Sequence, residues 1–253
     1  GVAVGVPTDA RDGLRVSAGQ CAKFVTPRTK AVLLGYPSNP TGATMPADEL
    51  QRIVDFASEH GLYIISDEIY DRLTYDHGHT CVASLKGARE RTIYLNGFSK
   101  AYAMTGWRVG YVCAPEEVLV LLMKIHSYTM LCAPIASQKA AMEALQNGEA
   151  SLKDMVAQYN QRRRLIVDGL NSIGLPCRLP DGAFYAFPCI ESTGLTSEQF
   201  AERLLYEERV AVVPGTAFGI GGEGYVRCSY ANSTERIEQA LIRIERFVKK
   251  ISR

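Results

Sequence analysis

The chain has 253 residues, of which 47% are hydrophobic and 22% are charged, and its formal net charge is +1. Basic and acidic residues are interleaved, which removes the electrostatic case for nucleic acid or an anionic membrane as the main partner. No apolar run approaches the roughly 20 residues that a membrane-spanning helix needs, and the first residues show no signal-peptide pattern. From its length we expect one or two domains.

The cysteine and histidine patterns argue against disulfides and metals. Seven scattered cysteines without a C-x-x-C pair predict reduced, mostly buried thiols in a cytoplasmic protein. His77 and His79 have the residue type of a metal-binding fragment, but no Cys or carboxylate cluster of matching spacing accompanies them, so we expect a turn with two solvated histidines. The chain starts at Gly1, and residues 2–6 are predicted to form a strand. We therefore expect it to begin inside a domain.

The first half of the chain alternates between strand and helix patterns. A helix is predicted to begin at Pro46, with Asp48 and Glu49 in its first turn, and to end at Gly61. The apolar runs are typical of strands buried on both faces. Strands are predicted at residues 31–35, 62–65, 92–95 and 108–113. This β-α-β rhythm predicts a mostly parallel sheet covered by helices.

The second half of the chain has a different pattern of predicted elements. Two long helices are predicted between residues 116 and 173, with a break near Asn147 and Gly148. A smaller α+β unit follows, with strands at 182–189, 210–213 and 225–230 and helices at 197–208 and 233–251. The last helix carries an apolar stripe, which predicts core packing. We predict a large domain over residues 1–163 and a small domain over residues 164–253.

Polar residues follow three of the predicted strands, at the carboxyl ends where α/β folds place their sites. They are Asn39, then Asp67 and Tyr70, then Ser99 and Lys100. Each alone has an ordinary explanation: Asn39 in a turn, Asp67 as a helix cap, Lys100 as a solvated lysine. Together they predict one chemistry.

That chemistry is a lysine Schiff base with the aldehyde of pyridoxal 5'-phosphate (PLP). Lys100 supplies the amine, and a buried Asp67 carboxylate keeps the pyridine nitrogen protonated. Tyr70 and Asn39 donate hydrogen bonds to the ring oxygen. Arg108 offers a planar fork of donors to the phosphate oxygens.

Four motifs occur in an order that resembles the class I/II aminotransferases of fold type I. They are YPSNPTG at residues 36–42, SDEIY at 66–70, FSKAYAMTGWRVG at 98–110 and YVRCS at 225–229. The resemblance covers nearly the whole chain and implies the roles just described. It adds Arg227 as a bidentate clamp on the α-carboxylate of the substrate, with Asn39 also beside the substrate.

The resemblance also implies an architecture. It predicts an α/β fold with a mostly parallel sheet in a large domain that is incomplete at its N-terminus, an α+β small domain, and a homodimer when full length. In the family, the phosphate loop, a ring-stacking aromatic and an N-terminal arm lie upstream of the position of Gly1. Many relatives also carry a serine three residues before the lysine, where this chain has Gly97. Ser99 is expected to compensate by contacting the phosphate.

A further motif has the form of a dinucleotide-binding loop. Residues 219–224, GIGGEG, match the G-x-G-x-x-G pattern of dinucleotide-binding proteins. That pattern requires a following helix, whereas a strand is predicted from Tyr225 onward. We therefore predict that these glycines shape the loop that delivers Arg227.

The function indicated is amino-group transfer from an α-amino acid to a 2-oxo acid, with ping-pong kinetics. A PLP-dependent β-lyase or synthase on the same fold is the alternative within this chemistry. A non-catalytic PLP-sensing domain is the alternative outside it, although the combination of Lys100, Asp67, Tyr70 and Arg227 argues against a sensor. Aspartate, aromatic and alanine-type substrates all remain open.

Overall fold

The computed structural model describes residues 1–251, which fall into two compact units. The sheet unit comprises residues 15–37 and 44–155. The carboxyl-terminal unit comprises residues 1–14, residues 38–43 and the chain from Val156 onward. The predicted domain boundary at residue 163 lies in the same helix as this division, and it stays a prediction.

The sheet unit is built on a four-stranded sheet in the order β1-β2-β3-β4. The first three strands are parallel, and β4 runs antiparallel to β3. The strands are β1 (Ala31–Gly35), β2 (Tyr63–Asp67), β3 (Thr92–Gly97) and β4 (Gly110–Cys113). All four predicted strands are present, so the mostly parallel sheet is confirmed.

Helix α2 (Ala47–Glu59) packs against β2 and buries one face of the sheet. It starts after Pro46 and has acidic residues in its first turn, as predicted. Along β2, Ile64 and Ser66 are buried while Tyr63 is exposed, and Leu33 in β1 is 71% exposed. The prediction that these strands are buried on both faces is therefore wrong for the described residues. An apolar run reports hydrophobicity but not which elements are available to cover it.

Three long helices follow the sheet, where the sequence predicts two. They are α3 (Glu116–Thr129), α4 (Ile135–Asn147) and α5 (Glu149–Ser172), after the short α1 (Ala18–Ala22) nearer the N-terminus. The additional break follows α3, where Leu131 adopts a left-handed conformation with φ of 64°. Pro134 then precedes α4, and proline disfavours a helical residue before it. Helix α3, all of which is described, buries none of its side chains.

The carboxyl-terminal unit contains a small antiparallel sheet and two amphipathic helices. Its strands are β5 (Tyr185–Ala186), β6 (Val213–Pro214) and β7 (Val226–Ser229), in the order β5-β7-β6, and its helices are α6 (Ser197–Glu208) and α7 (Thr234–Ile251). The strands are shorter than predicted, whereas both helices match. The stripe on α7 packs inward, with Ile237, Ile244 and Val248 buried, so its predicted core role is confirmed.

The predicted strand at the N-terminus is wrong. Residues 2–6 are irregular, with Val2 93% exposed. The backbone of a strand needs a hydrogen-bonded neighbour, and no strand within residues 1–251 pairs with this segment. Over the same residues, no helix combines the length and apolar character needed to cross a membrane.

Candidate active site

The carboxyl ends of β2 and β3 carry four of the predicted site residues, Asp67, Tyr70, Ser99 and Lys100. Because these strands are parallel, their carboxyl ends lie at the same edge, with Asp67 opposite Leu95. Lys100 follows the end of β3, and its Nζ lies 5.9 Å from the centroid of the Tyr70 ring. Tyr70 is buried and Lys100 is half-buried. The structure thus brings the predicted amine and the predicted phenol together.

The turn that carries Lys100 is anchored by apolar packing on both sides. Phe98 and Met104 are buried against Ala141 of α4. The carbonyl of Phe98 accepts hydrogen bonds from the backbone N–H groups of Tyr102 and Met104, each at 3.3 Å. These contacts fix the backbone before and after Lys100, so the position of its Cα is set by the core.

Asp67 lies at the end of β2, but it is exposed rather than buried. The expectation of a buried carboxylate is therefore wrong for the described residues. Its Oδ1 accepts a hydrogen bond from the N–H of Ile69 at 3.2 Å. The alternative of a helix cap is also wrong, because after β2 the chain enters turns and the next helical segment begins only at Val82.

Arg108 is exposed, and its backbone is left-handed, with φ of 51°. Its Nη1 donates to the carbonyl of Thr105 at 2.8 Å. Ser99, beside Lys100, is half-buried. The glycine at position 97 has a packing reason: a Cβ there would lie 3.0 Å from the Cα of Gly110, because β3 and β4 approach closely where Gly97 pairs with Gly110. A serine at position 97 would require these strands to shift slightly apart.

Arg227 and Asn39 meet in the carboxyl-terminal unit. The Nη1 of Arg227 donates to Oδ1 of Asn39 at 2.7 Å. The guanidinium carbon lies 4.4 Å from the Tyr185 ring centroid and 4.9 Å from the Phe218 ring centroid. The Nε is buried and has no hydrogen-bond partner among the described residues. An unpaired N–H on a positioned guanidinium fits an anionic ligand.

The loop before β7 is shaped by glycines, as predicted. A Cβ on Gly222 would lie 2.0 Å from the carbonyl oxygen of Gly215, so the two backbones approach too closely for any side chain. The strand β7, not a helix, follows this loop and carries Arg227. The geometry therefore contradicts a dinucleotide-binding role for residues 219–224.

The sequence interpretation missed a buried polar group beside the site. Ser66 on β2 and Glu68 just after β2 are both buried. Nε2 of His79 forms a short hydrogen bond with the Glu68 carboxylate. The prediction of two solvated histidines is wrong for His79, whose side chain is only 16% exposed, and correct for exposed His77. The available signal was a carboxylate two residues after Ser66, which alternation places on the same face.

All seven cysteines lie in the described part of the chain and are free. Cys21, Cys177 and Cys228 are buried, whereas Cys113 and Cys132 are exposed. Burial raises the pKa of Cys177 to about 11 and that of Cys228 to about 12. These two thiols therefore remain protonated at neutral pH, as expected of structural cysteines.

The comparison with known families decides the family. A family model described as aminotransferase class I and II matches residues 4–244. The chain belongs to this family. Its fold is confirmed as the α/β fold type I of PLP-dependent transferases by likeness to a solved member: the crystal structure of an aromatic aminotransferase from Pyrococcus horikoshii OT3 has a TM-score of 0.95 and 46% identity, covering 98% of this chain and 67% of that chain.

Curated members of the aminotransferase family match along the whole of this chain. It is 45% identical over 253 residues to an aspartate aminotransferase of Pyrococcus abyssi, and 45% identical over 253 residues to aromatic-amino-acid aminotransferase 2 of Thermococcus litoralis. Each match covers 99% of this chain and 65% of the relative. The chain therefore spans about two thirds of the length of these aminotransferases.

Proposed function

We propose that this chain carries the catalytic residues of a PLP-dependent aminotransferase, which moves an amino group from an α-amino acid to a 2-oxo acid. One observation carries the proposal: Lys100 Nζ lies beside the buried Tyr70 ring at the carboxyl edge of a parallel sheet. Proteins named aspartate aminotransferase and aromatic-amino-acid aminotransferase are 45% identical to this chain over 99% of its length, which supports the proposal. A cytoplasmic homodimer is the working assembly that we propose for the full-length protein.

The residues present fit the cofactor. PLP requires an amine for its aldehyde, a phenol for its ring oxygen, a carboxylate for its ring nitrogen and a guanidinium group for its phosphate. Lys100 would hold PLP covalently, Asp67 would pair with the pyridinium nitrogen, and Tyr70 and Asn39 would donate to the ring oxygen. Arg108 and Ser99 would hold the phosphate. When bound, PLP supplies an electron sink for the negative charge that develops at the substrate Cα.

The protein groups would orient the substrate and move one proton. The planar fork of Arg227 is suited to two parallel hydrogen bonds with an α-carboxylate, and its buried Nε has no hydrogen-bond partner among the described residues. Tyr185 and Phe218 hold the plane of the guanidinium. A substrate fixed in this way presents its Cα–H bond in one direction, so that the Lys100 amine, once the substrate amine has displaced it from the cofactor, would take up the proton from Cα and deliver it to the cofactor carbon that Lys100 left.

Covalent labelling tests the cofactor assignment. The full chain with PLP should show a visible absorbance band at roughly 400 nm. Borohydride reduction followed by peptide mapping should then find the pyridoxyl group on Lys100. Lys100→Ala should abolish the label, while Lys124→Ala, at an exposed position on α3, should retain it. A pyridoxyl group on a different lysine would refute the assignment.

A half-reaction distinguishes transfer from the lyase and sensor alternatives. An α-amino acid alone should bleach the visible band, and a 2-oxo acid added afterwards should restore it. Release of ammonia without a 2-oxo acid acceptor would indicate a lyase. A stable band that no amino acid alters would indicate a PLP-sensing domain.

A further inference from the structure

The two chain neighbours of Asp67 are linked to each other on the buried side of the sheet. Ser66 is 2% exposed and Glu68 is 1% exposed, whereas Asp67 between them is exposed. In an extended segment, successive side chains point to opposite faces. Asp67 therefore stands on the face opposite a buried, bonded pair.

The Glu68 carboxylate is held by donors from Ser66, Val82 and His79, and the Cys81 thiol also lies beside it. Its Oε1 accepts from the Ser66 hydroxyl at 2.9 Å and from the backbone N–H of Val82 at 3.0 Å. Its Oε2 accepts a short hydrogen bond from Nε2 of His79. Carboxylate oxygens accept hydrogen bonds from N–H groups, so the tautomer of His79 with its N–H at Nε2 suits this contact. Three donors compensate for much of the hydration that the carboxylate loses on burial.

The backbone of Glu68 connects this network to the sheet and to the turn beyond it. Its N–H donates to the carbonyl of Leu95 on β3 at 2.9 Å. Its carbonyl accepts from the N–H of Asp71 at 2.9 Å, which closes a turn over Ile69 and Tyr70. Glu68 is thus the residue at which the side-chain network, the sheet and the turn bearing Tyr70 all meet.

From this arrangement we infer that the Glu68–His79 pair is a positioning device that holds Asp67 and Tyr70 in place for PLP. The inference rests on the proposed function, and neither member of the pair is assigned a contact with the cofactor. Removing His79 leaves a buried carboxylate short of one donor, which is costly. The carboxylate then moves toward water, which displaces the backbone between Asp67 and Tyr70.

His79→Ala is the decisive variant, and His77→Ala is its matched control, because His77 is exposed in the same turn. In the full chain, His79→Ala should weaken the equilibrium affinity for PLP about tenfold. It should also shift the pH midpoint of the visible PLP band, because Asp67 and Tyr70 would no longer face the ring as before. His79→Gln, whose amide can donate to Glu68, should restore most of the affinity and the midpoint. His77→Ala should match the parent.

Two further measurements keep the inference falsifiable. If His79→Ala does not fold, Ser66→Ala removes a different donor to Glu68, and it should weaken PLP binding about threefold. A lowered Tm in His79→Ala or Ser66→Ala, with parental PLP affinity and an unshifted midpoint, would mean that the pair is only structural and would overturn the inference. A parent chain that forms no reducible band on Lys100 would overturn the proposed function and the inference with it. If the parent chain binds PLP and the variants bind it equally well, only the inference about Glu68 and His79 is overturned.

Discussion

The guanidinium of Arg227 is placed before any ligand binds. The ring centroids of Tyr185 and Phe218 lie 4.4 and 4.9 Å from the guanidinium carbon, and Asn39 accepts a hydrogen bond from Nη1. Cation–π contacts of this kind contribute on the order of 1 kcal/mol each and also restrict the orientation of the plane. A lysine at this position would keep the charge but lose both the plane and the fork.

Arg227→Lys should therefore lower kcat/KM for every amino acid substrate. A loss of about 2–4 kcal/mol of transition-state stabilisation is expected for the weakened carboxylate contact. Steady-state kinetics of the full chain measure this, with Arg236→Lys, an exposed position on α7, as the control. PLP affinity should stay near the parental value. A collapse of PLP affinity would show instead that Arg227 is a structural residue.

Asp67 is suited to separate catalysis from stability, because it is exposed and its one described side-chain bond, to the N–H of Ile69, can be kept by an asparagine. Asp67→Asn should change the free energy of unfolding by less than about 0.5 kcal/mol. Loss of the charge that keeps the ring nitrogen protonated should slow proton transfer at Cα by on the order of a hundredfold. Single-turnover bleaching of the visible band by an amino acid, beside thermal unfolding, measures both. A parental rate in this variant would remove Asp67 from the catalytic residues.

The carboxyl of Asp71, next to Tyr70 in the chain, gives a pH-dependent prediction. Burial raises its pKa above the ordinary value of 3.8, against the opposing hydrogen bond from the N–H of Arg72. Because the folded state then holds this proton more tightly than the unfolded state, the stability that Asp71 contributes is complete below the unfolded pKa. It falls as the pH rises through the raised, folded pKa.

Asp71→Asn should remove this loss while keeping an acceptor for Arg72, whose N–H lies 2.7 Å from Oδ1. The Tm of the variant relative to the parent should therefore increase from about pH 4 to pH 7. Thermal unfolding across this range measures the difference. Asp154→Asn, at an exposed position on α5, is the control and should show no such trend. A difference that is constant with pH would contradict the assignment to Asp71.

At the scale of single elements, α6 shows how local signals define a helix. Thr196 accepts from the backbone N–H of Gln199, and the Gln199 side chain accepts from the N–H of Thr196, so two unpaired helix donors are satisfied. The helix ends at Glu208, and the left-handed conformation of Arg209 after it lets the Arg209 N–H reach carbonyls of the last turn. Both ends coincide with the predicted range of 197–208.

Thr196→Ala should lower the free energy of unfolding by about 1 kcal/mol, the usual cost of losing a helix cap. Denaturant unfolding of the full chain measures it, with Ser151→Ala at an exposed site on α5 as the comparison. The comparison variant should stay within about 0.5 kcal/mol of the parent. Equal stability of both variants would show that the cap contributes nothing here.

Longer helical stretches were predicted less well, for an equally local reason. The segment from α3 to α4 is apolar enough to suggest one continuous helix. However, the backbone of Leu131 is left-handed, and a new helix begins only after Pro134. The strands β5 and β6 show the opposite error, since each has only two residues and the pairing of its flanks with β7 is reduced to single hydrogen bonds and the isolated bridge between Cys189 and Tyr225. Backbone pairing depends on the neighbouring strand, which periodicity does not report.

At the scale of the whole molecule, the family, the parallel sheet and the order of the site motifs followed from the sequence alone. Each rests on short-range information: apolar runs for β1 to β3, a proline with acidic residues for α2, and compact motifs around Lys100 and Arg227. The domain boundary and the roles of the site residues remain predictions.

Only the tertiary structure decided which groups meet. It exposed Asp67 and one face of β1, and it paired His79 with a carboxylate 11 positions earlier in the chain. It also joined Arg227 to Asn39 across 188 positions. Local pattern determines the type of an element and the face on which a side chain lies. Burial and hydrogen-bond partners depend on which distant segments pack against that face, and so they are properties of the folded chain.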